Sequence, residues 1–439
     1  MIVSARNCLA ACVGALAFAL TACGAPRLAP LAQDDVQERV GASGTARDLT
    51  SVSFQVLHRF GRHAQDSRDI GGANPDGSLI DVNGTLYGTT VNGGKYNESS
   101  ACLGYTQDGI GCGIVYSITT TGTKKVLHYF LGLTSGDGDE PVYDFTNVKG
   151  TLYGTTFYGG ACGSASFGTV YSISTTGSEK VLHSFCGSAS GAAYPTDGVV
   201  NVNGTLYGTA GPNQGGDVYS ISASGAYRVL FAFNGSDDGY GPDGRLLDVK
   251  GTLYGVTHAG GTACSRYGGC GIVYALTTSG KEKVLHSFKG APDGRLPVSG
   301  LIDVNGTLYG TTLLGGNSGC QYSYGCGIVY SITTSGSEKV IYRFKGGSDG
   351  GNPVASLVEA NGTLYGTTRG GGAYGLGTVF SSSTSGREQL LHSFGGPDGA
   401  QPMADLTDVN GTLYGTTFGG GYEKGCGGKG CGTVFALTP

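Results

Sequence analysis

The sequence predicts an all-β protein, a seven-bladed β-propeller of four-stranded antiparallel blades. Three observations predict it. The string Gly-Thr-Leu-Tyr-Gly occurs seven times, beginning at Gly84, Gly150, Gly204, Gly251, Gly306, Gly362 and Gly411, at spacings of 47 to 66 residues. A period near that length means a repeated supersecondary unit that cannot bury its apolar face alone. Each copy is flanked by short apolar runs of period two, separated by glycine turns, which is the pattern of paired antiparallel strands. The strand signals at the two ends of the chain also complement each other, as shown below.

The first repeat sets out the unit. An apolar run, Leu79 to Val82, leads through Asn83-Gly84 into Thr85–Thr90. A variable glycine-rich loop follows, then Ile114–Ile118, a Thr-Thr-Gly turn and Val126–Phe130. We call these strands a to d. Asn-Gly forms five of the a–b turns, and Lys149-Gly150 and Lys250-Gly251 form the others. Lysine resists a positive φ, so the expected turn is a type I turn with a glycine bulge, which needs positive φ only at the glycine. Asn-Gly-Thr also reads as a glycosylation sequon, but turn chemistry accounts for it.

The d signal occurs at 56–60, 126–130, 181–185, 229–233, 284–288, 340–344 and 390–394, so one copy precedes every Leu-Tyr-Gly string. The last c signal, Gly432 to Leu437, ends the chain. The C-terminus lacks one strand and the N-terminus has one spare. Ser53–Phe60 therefore completes the blade begun by residues 402–439, and the ring closes without exposed ends. An open β-solenoid would not explain complementary leftovers.

Composition agrees. The 439 residues include 84 glycines without a collagen period, 39% hydrophobic residues and only 13% charged ones. This suits short strands and tight turns rather than a disordered chain. A net charge of −5 and the lack of a basic run argue against a nucleic-acid partner.

The N-terminus reads as a targeting segment. Residues 1–22 hold Arg6 and an apolar run from Cys8 to Leu20, too short for a firm membrane span. They end Leu20-Thr21-Ala22-Cys23, which resembles the bacterial lipoprotein signal, with Cys23 acylated as the mature N-terminus. Gly24 in place of aspartate resembles lipoproteins passed on to an outer membrane. Residues 23–50 read as a flexible tether, and 51–439 as the propeller. The expected location is the cell envelope, with the membrane as a partner through the lipid.

Of 13 cysteines, Cys8 and Cys12 leave with the signal and Cys23 takes lipid, so ten remain. Four pairs are near neighbours within b–c loops: Cys102/Cys112, Cys264/Cys270, Cys320/Cys326 and Cys426/Cys431. Cys162 lies in a b–c loop and Cys186 follows strand d of the same blade, and both places open on one face of a propeller. No zinc-like spacing with histidine occurs, so five disulfides formed in an oxidising compartment are expected. They pin one long-looped face, while the opposite face has only tight turns.

The string L-Y-G-T-T-x-x-G-G, then G-T-V-Y-S-I, then V-L-H-S-F resembles the GloVer tandem-repeat proteins of bacteria, over residues from about 52 to 439. The resemblance implies an exported, surface-displayed, propeller-like repeat protein whose anchor varies between members, and it carries over no catalytic residue. Gly-Gly after strand b looks distantly like kelch, although this chain has no tryptophan.

Candidate chemistry is sparse. His58, His128, His183, His286 and His392 share one place in strand d, where Phe231 and Tyr342 stand in the other repeats, so packing between blades is the expected role. His63 and His258 stand alone in loops. Three residues before each repeat glycine stand Asp81, Asn147, Asn201, Asp248, Asp303, Glu359 and Asp408. The five acids could ring a Ca²⁺ at the short-turn end of the channel; the competing role is capping their own turns. Ca²⁺ is the one cofactor considered. The Asp-Gly pairs of the d–a loops read as turns. No nucleophile elbow, HExxH or phosphate loop occurs. The long loops carry Tyr96, Tyr105, Tyr158, Tyr267, Tyr322, Tyr324, Tyr374 and Tyr422, rigid amphipathic contact residues suited to a carbohydrate or an envelope protein. The expected function is non-catalytic binding by an exported, lipid-anchored propeller. The alternatives are an extracellular glycan hydrolase or lyase, which needs two placed carboxylates, and a purely structural envelope protein.

Overall fold

Each repeat folds as one antiparallel sheet whose strands a to d run outward from the axis in chain order. The computed structural model describes residues 52–61, 69–95, 102, 111–132, 136–163, 166–187, 193–211, 215–222, 224–264, 268–317, 320, 324–421, 426 and 429–439. The expected signal, Cys23 and the tether therefore lie outside the described residues, as do His63, Tyr96, Tyr105, Tyr267, Tyr322 and Tyr422.

Blade one comprises Ile80–Val82, Thr85–Thr90, Ile114–Thr119 and Lys124–Tyr129. Blades two to six occupy 146–186, 200–232, 240–287, 302–343 and 358–393. In blade seven Thr407–Val409, Thr412–Thr417 and Thr433–Thr438 supply a, b and c, and the N-terminal strand Ser53–Arg59 is strand d. Ser53 pairs with Thr438 and Arg59 with Thr433, the predicted closure. Strand a of each blade lies beside strand a of the next, from blade one round to blade seven and back. The chain is thus a closed seven-bladed β-propeller.

Packing between blades explains the repeated residues. The phenylalanine that ends V-L-H-S-F meets the strand-c aromatic of the next blade edge-on, as in Phe60–Tyr116 and Phe130–Tyr171 at 5.3 Å. The relay continues through all seven junctions to Phe344–Phe380 at 5.1 Å and Phe394–Phe435 at 5.3 Å. Such edge-to-face pairs gain about 1 kcal/mol beyond their burial. The last glycine of Leu-Tyr-Gly makes room for that ring within its own blade. A Cβ at Gly88 would sit 2.8 Å from the Tyr116 hydroxyl, and one at Gly255 2.4 Å from that of Tyr274.

The a–b turn corrects one expectation. Asn83 and Gly84 have φ of 54° and 81°, and Lys149 and Gly150 have 53° and 85°, so both central residues are left-handed. Val82 pairs with Thr85, leaving a two-residue loop. These are type I′ turns, not type I turns with a bulge. A two-residue hairpin needs the primed turn to match the twist of its strands, and at Lys149 and Lys250 that demand overrides lysine's preference.

Candidate binding site at the loop-side channel mouth

The segment before each strand a positions the site. Seven prolines, Pro75, Pro141, Pro195, Pro242, Pro297, Pro353 and Pro402, each pack against the glycine that opens strand c of the preceding blade. The residue before each proline has a positive φ, from 53° at Leu296 to 64° at Gly241. Its backbone is clamped twice. Asn352, for example, donates N–H to Cys326 of blade five and accepts from Arg369 of its own blade. The a–b pairing lapses over this stretch, as between Asp243 and Leu247, and the next residues turn to the axis.

These axial residues differ from blade to blade. Arg245 of blade four bonds the Thr146 hydroxyl of blade two at 2.9 Å, which is two blades away and so spans the axis. Asp144 accepts from the Ser78 N–H at 2.8 Å, Asp405 accepts from Ser356 N–H at 2.6 Å, and Asp405 donates its N–H to the Ser78 hydroxyl at 2.7 Å. The axis is therefore filled by polar side chains, and at the loop end it is flanked by buried apolar clusters whose partly exposed members, Tyr158, Tyr194 and Phe418, reach the surface.

The mouth has two kinds of wall. One is aromatic: Phe157 stacks on Tyr194 at 5.0 Å, Tyr158 meets both edge-on, and Phe167 meets Tyr194 at 4.9 Å. Phe418 of blade seven packs against this group and against Val298, Val354 and Met403, extending the apolar arc through blades five to seven. The other wall is acidic. The buried Asp139 is directly opposite Tyr158 in a short antiparallel pair, and the Glu140 backbone carbonyl accepts the Phe157 N–H at 3.0 Å. Burial pushes the Glu140 carboxyl up to about 8, and the nearby Asp139 and Asp76 push the same way. At neutral pH Glu140 holds its proton and can both donate and accept hydrogen bonds. On blade four, His258 Nδ1 stands 3.6 Å from the fully buried Asp243 carboxylate.

Among the tyrosines expected at the loop face, Tyr158 belongs to this wall. Tyr324 lies under the Arg295 guanidinium, 5.0 Å from ring centroid to Cζ, and Tyr374 is 69% exposed on blade six. The three stand on different blades and do not form one patch. All five expected disulfides are present: Cys102–Cys112, Cys162–Cys186, Cys264–Cys270, Cys320–Cys326 and Cys426–Cys431. At the other end, all seven residues of the acidic ring position accept the N–H of their own turn glycine, at 2.6 Å for Glu359 and 2.8 to 3.0 Å for Asp81, Asn147, Asn201, Asp248, Asp303 and Asp408. A shallow cavity of about 140 Å³ at that end is lined by Asn361, Tyr365, Asp408 and Pro439. Asp76, Asp139, Glu140, Phe157 and Tyr194 were not singled out from the sequence. Their one signal was position, on either side of the repeated proline and just after strand b.

The family model of the Gloeobacter/Verrucomicrobia repeat matches residues 97–324 and 263–439. No curated protein matches the chain. Similar solved structures include TolB from Acinetobacter baumannii, at 15% identity over 63% of this chain and 59% of TolB, with a TM-score of 0.37. A putative gluconolactonase is 11% identical over 89% of this chain and 92% of its own, with a TM-score of 0.43. PorZ, a surface component of the type-IX secretion system of Porphyromonas gingivalis, is 12% identical over 85% of this chain and 48% of PorZ, with a TM-score of 0.47.

Proposed function

We propose that this chain, which belongs to the Gloeobacter/Verrucomicrobia repeat family, is an exported, lipid-anchored propeller that binds carbohydrate at its loop-side channel mouth without turning it over. The observation that carries the reading is the juxtaposition of the partly exposed Tyr158 and Tyr194 with Glu140, over a buried floor of Phe157 and Asp139. Aromatic faces take the apolar face of a sugar ring, and adjacent carboxyl groups take its hydroxyls. A protonated Glu140 serves both as donor and as acceptor without adding charge. The disulfides hold the surrounding loops in place, which lowers the ordering cost of binding. Anchoring rests on the Leu20 to Cys23 signal alone.

The same carboxyls keep the hydrolase reading in play, because a raised acid beside other carboxyl groups is the arrangement of a general acid. Glycan-array binding by the purified chain, with Tyr158→Ala and Glu140→Gln beside the wild type, tests the proposal. Binding that falls at least tenfold in Tyr158→Ala, with no reducing ends released from the bound glycan, is the expected result. A flat array overturns the carbohydrate reading, and release of reducing ends abolished by Glu140→Gln replaces it with catalysis.

A further inference from the structure

The junctions between blades hold a second set of polar groups, far from the axis. A bulge at the strand-d leucine, such as Leu127, aims the following histidine at the neighbouring blade. There it faces the first residue of the next strand d. Two junctions put a ring there. His183 stacks on Tyr227 at 4.4 Å, and His392 stacks on Phe54 at 3.7 Å. The Tyr342 hydroxyl donates to Asp349 at 2.6 Å and also engages Glu388.

Two junctions are built otherwise. Between blades one and two, His128, Asp137 and Glu179 converge, and between blades four and five, His286, Asp293 and Glu338 do. Within each trio the ligand atoms lie within 4.8 Å of one another. The histidine Nε2 stands 3.2 Å from Asp137 Oδ2 in the first and 3.3 Å from Asp293 Oδ2 in the second, the separation of two ligands on one tetrahedral ion. Each aspartate is held from behind: Asp137 accepts the N–H of Leu131 and Gly138, and Asp293 accepts those of Lys289 and Gly294. Oε1 of Glu179 and Oε1 of Glu338 are buried without a hydrogen-bond partner. A buried carboxylate oxygen with no donor is costly, and a cation would satisfy it.

We propose that these two junctions bind a divalent transition-metal ion, each through one imidazole and two carboxylates contributed by adjacent blades. Imidazole with carboxylate suits zinc and its neighbours better than calcium. A bound ion would staple the outer strands of two blades.

Zn²⁺ titration of the chelator-stripped full chain in detergent at pH 7.5, by calorimetry and by metal analysis after desalting, tests this. The expected stoichiometry is two per chain, falling to one in Glu179→Gln or Glu338→Gln and to none in the double variant. Zn²⁺ should raise the melting temperature of the wild type and leave that of the double variant unmoved. Circular dichroism of the stripped variants shows that the glutamine substitutions still fold. Lack of stoichiometric uptake by the wild type overturns the proposal. Uptake unchanged in the double variant overturns it equally, by placing the zinc elsewhere.

Discussion

The two ends of the propeller are built on opposite plans. At the tight-turn end every blade repeats the same device: a two-residue I′ turn whose glycine N–H is taken by a carboxylate or amide three residues earlier. That bond is made within each blade. At the loop end each blade is clamped to the one before it by the proline and by the positive-φ residue preceding it. The repeated cap of the a–b turn is closed within a blade, whereas the repeated clamp of the loop end joins two blades, and it is the residues beside that clamp that vary.

A glycine pair breaks this comparison most sharply. A Cβ at Gly327, at the loop end, would lie 2.3 Å from the Thr312 carbonyl oxygen and 2.7 Å from Pro353, on a residue whose φ is 92°. Gly306, in a turn, has φ of 83° and no atom within 4 Å of the same point. Gly327→Ala should cost about 3 kcal/mol or more through overpacking and backbone strain. Gly306→Ala should cost about 1 kcal/mol from the left-handed backbone alone. Thermal melts of the two variants give the ranking, and equal losses would show that the ends are not distinct.

Next is a pH effect confined to the mouth. The folded Glu140 acid lies near 8, above its ordinary 4.5, so the folded chain keeps a proton the unfolded chain releases. Stability contributed by that proton is complete at low pH and is lost as pH rises toward 8. Glu179 and Glu282, both near 7, act in the same direction. Glu140→Gln should therefore flatten, without abolishing, the fall of melting temperature between about pH 5 and pH 8. An unchanged slope would remove Glu140 from the buried acids.

The smallest effect belongs to the turns. Asp303→Ala removes one acceptor from the Gly306 N–H and should cost about 1 kcal/mol or less. Asp303→Asn should be near neutral, since Asn147 and Asn201 make the same bond. Calcium chelation should leave the melting temperature where it was; a drop would restore the acidic ring as a cation site.

Architecture was readable in the sequence because seven copies turn weak local signals into a ruler. Counting strands revealed closure, and loop position paired Cys162 with Cys186. The turn type was not readable, because Lys149 and Lys250 obey a hairpin twist that outweighs their own preference. The mouth was legible only in part. Tyr158 stood out as a loop tyrosine, but its partners Tyr194, Glu140 and Asp139 lie 36, 18 and 19 residues away by number, joined only by the pairing of d–a and b–c loops. His258 stood alone for the same reason: Asp243 meets it across a strand pair, not along the chain.

The closing strand also fixes where the chain enters the body. Ser53 starts strand d opposite Thr438, at the rim of the tight-turn end, because a strand d runs from its c–d turn toward the loops. Any leash leading back to Cys23 departs from that rim. If the proposed lipid sits on Cys23, its pull falls on that rim, and Tyr158, Tyr194 and Glu140 lie at the opposite end of the body from the point of attachment.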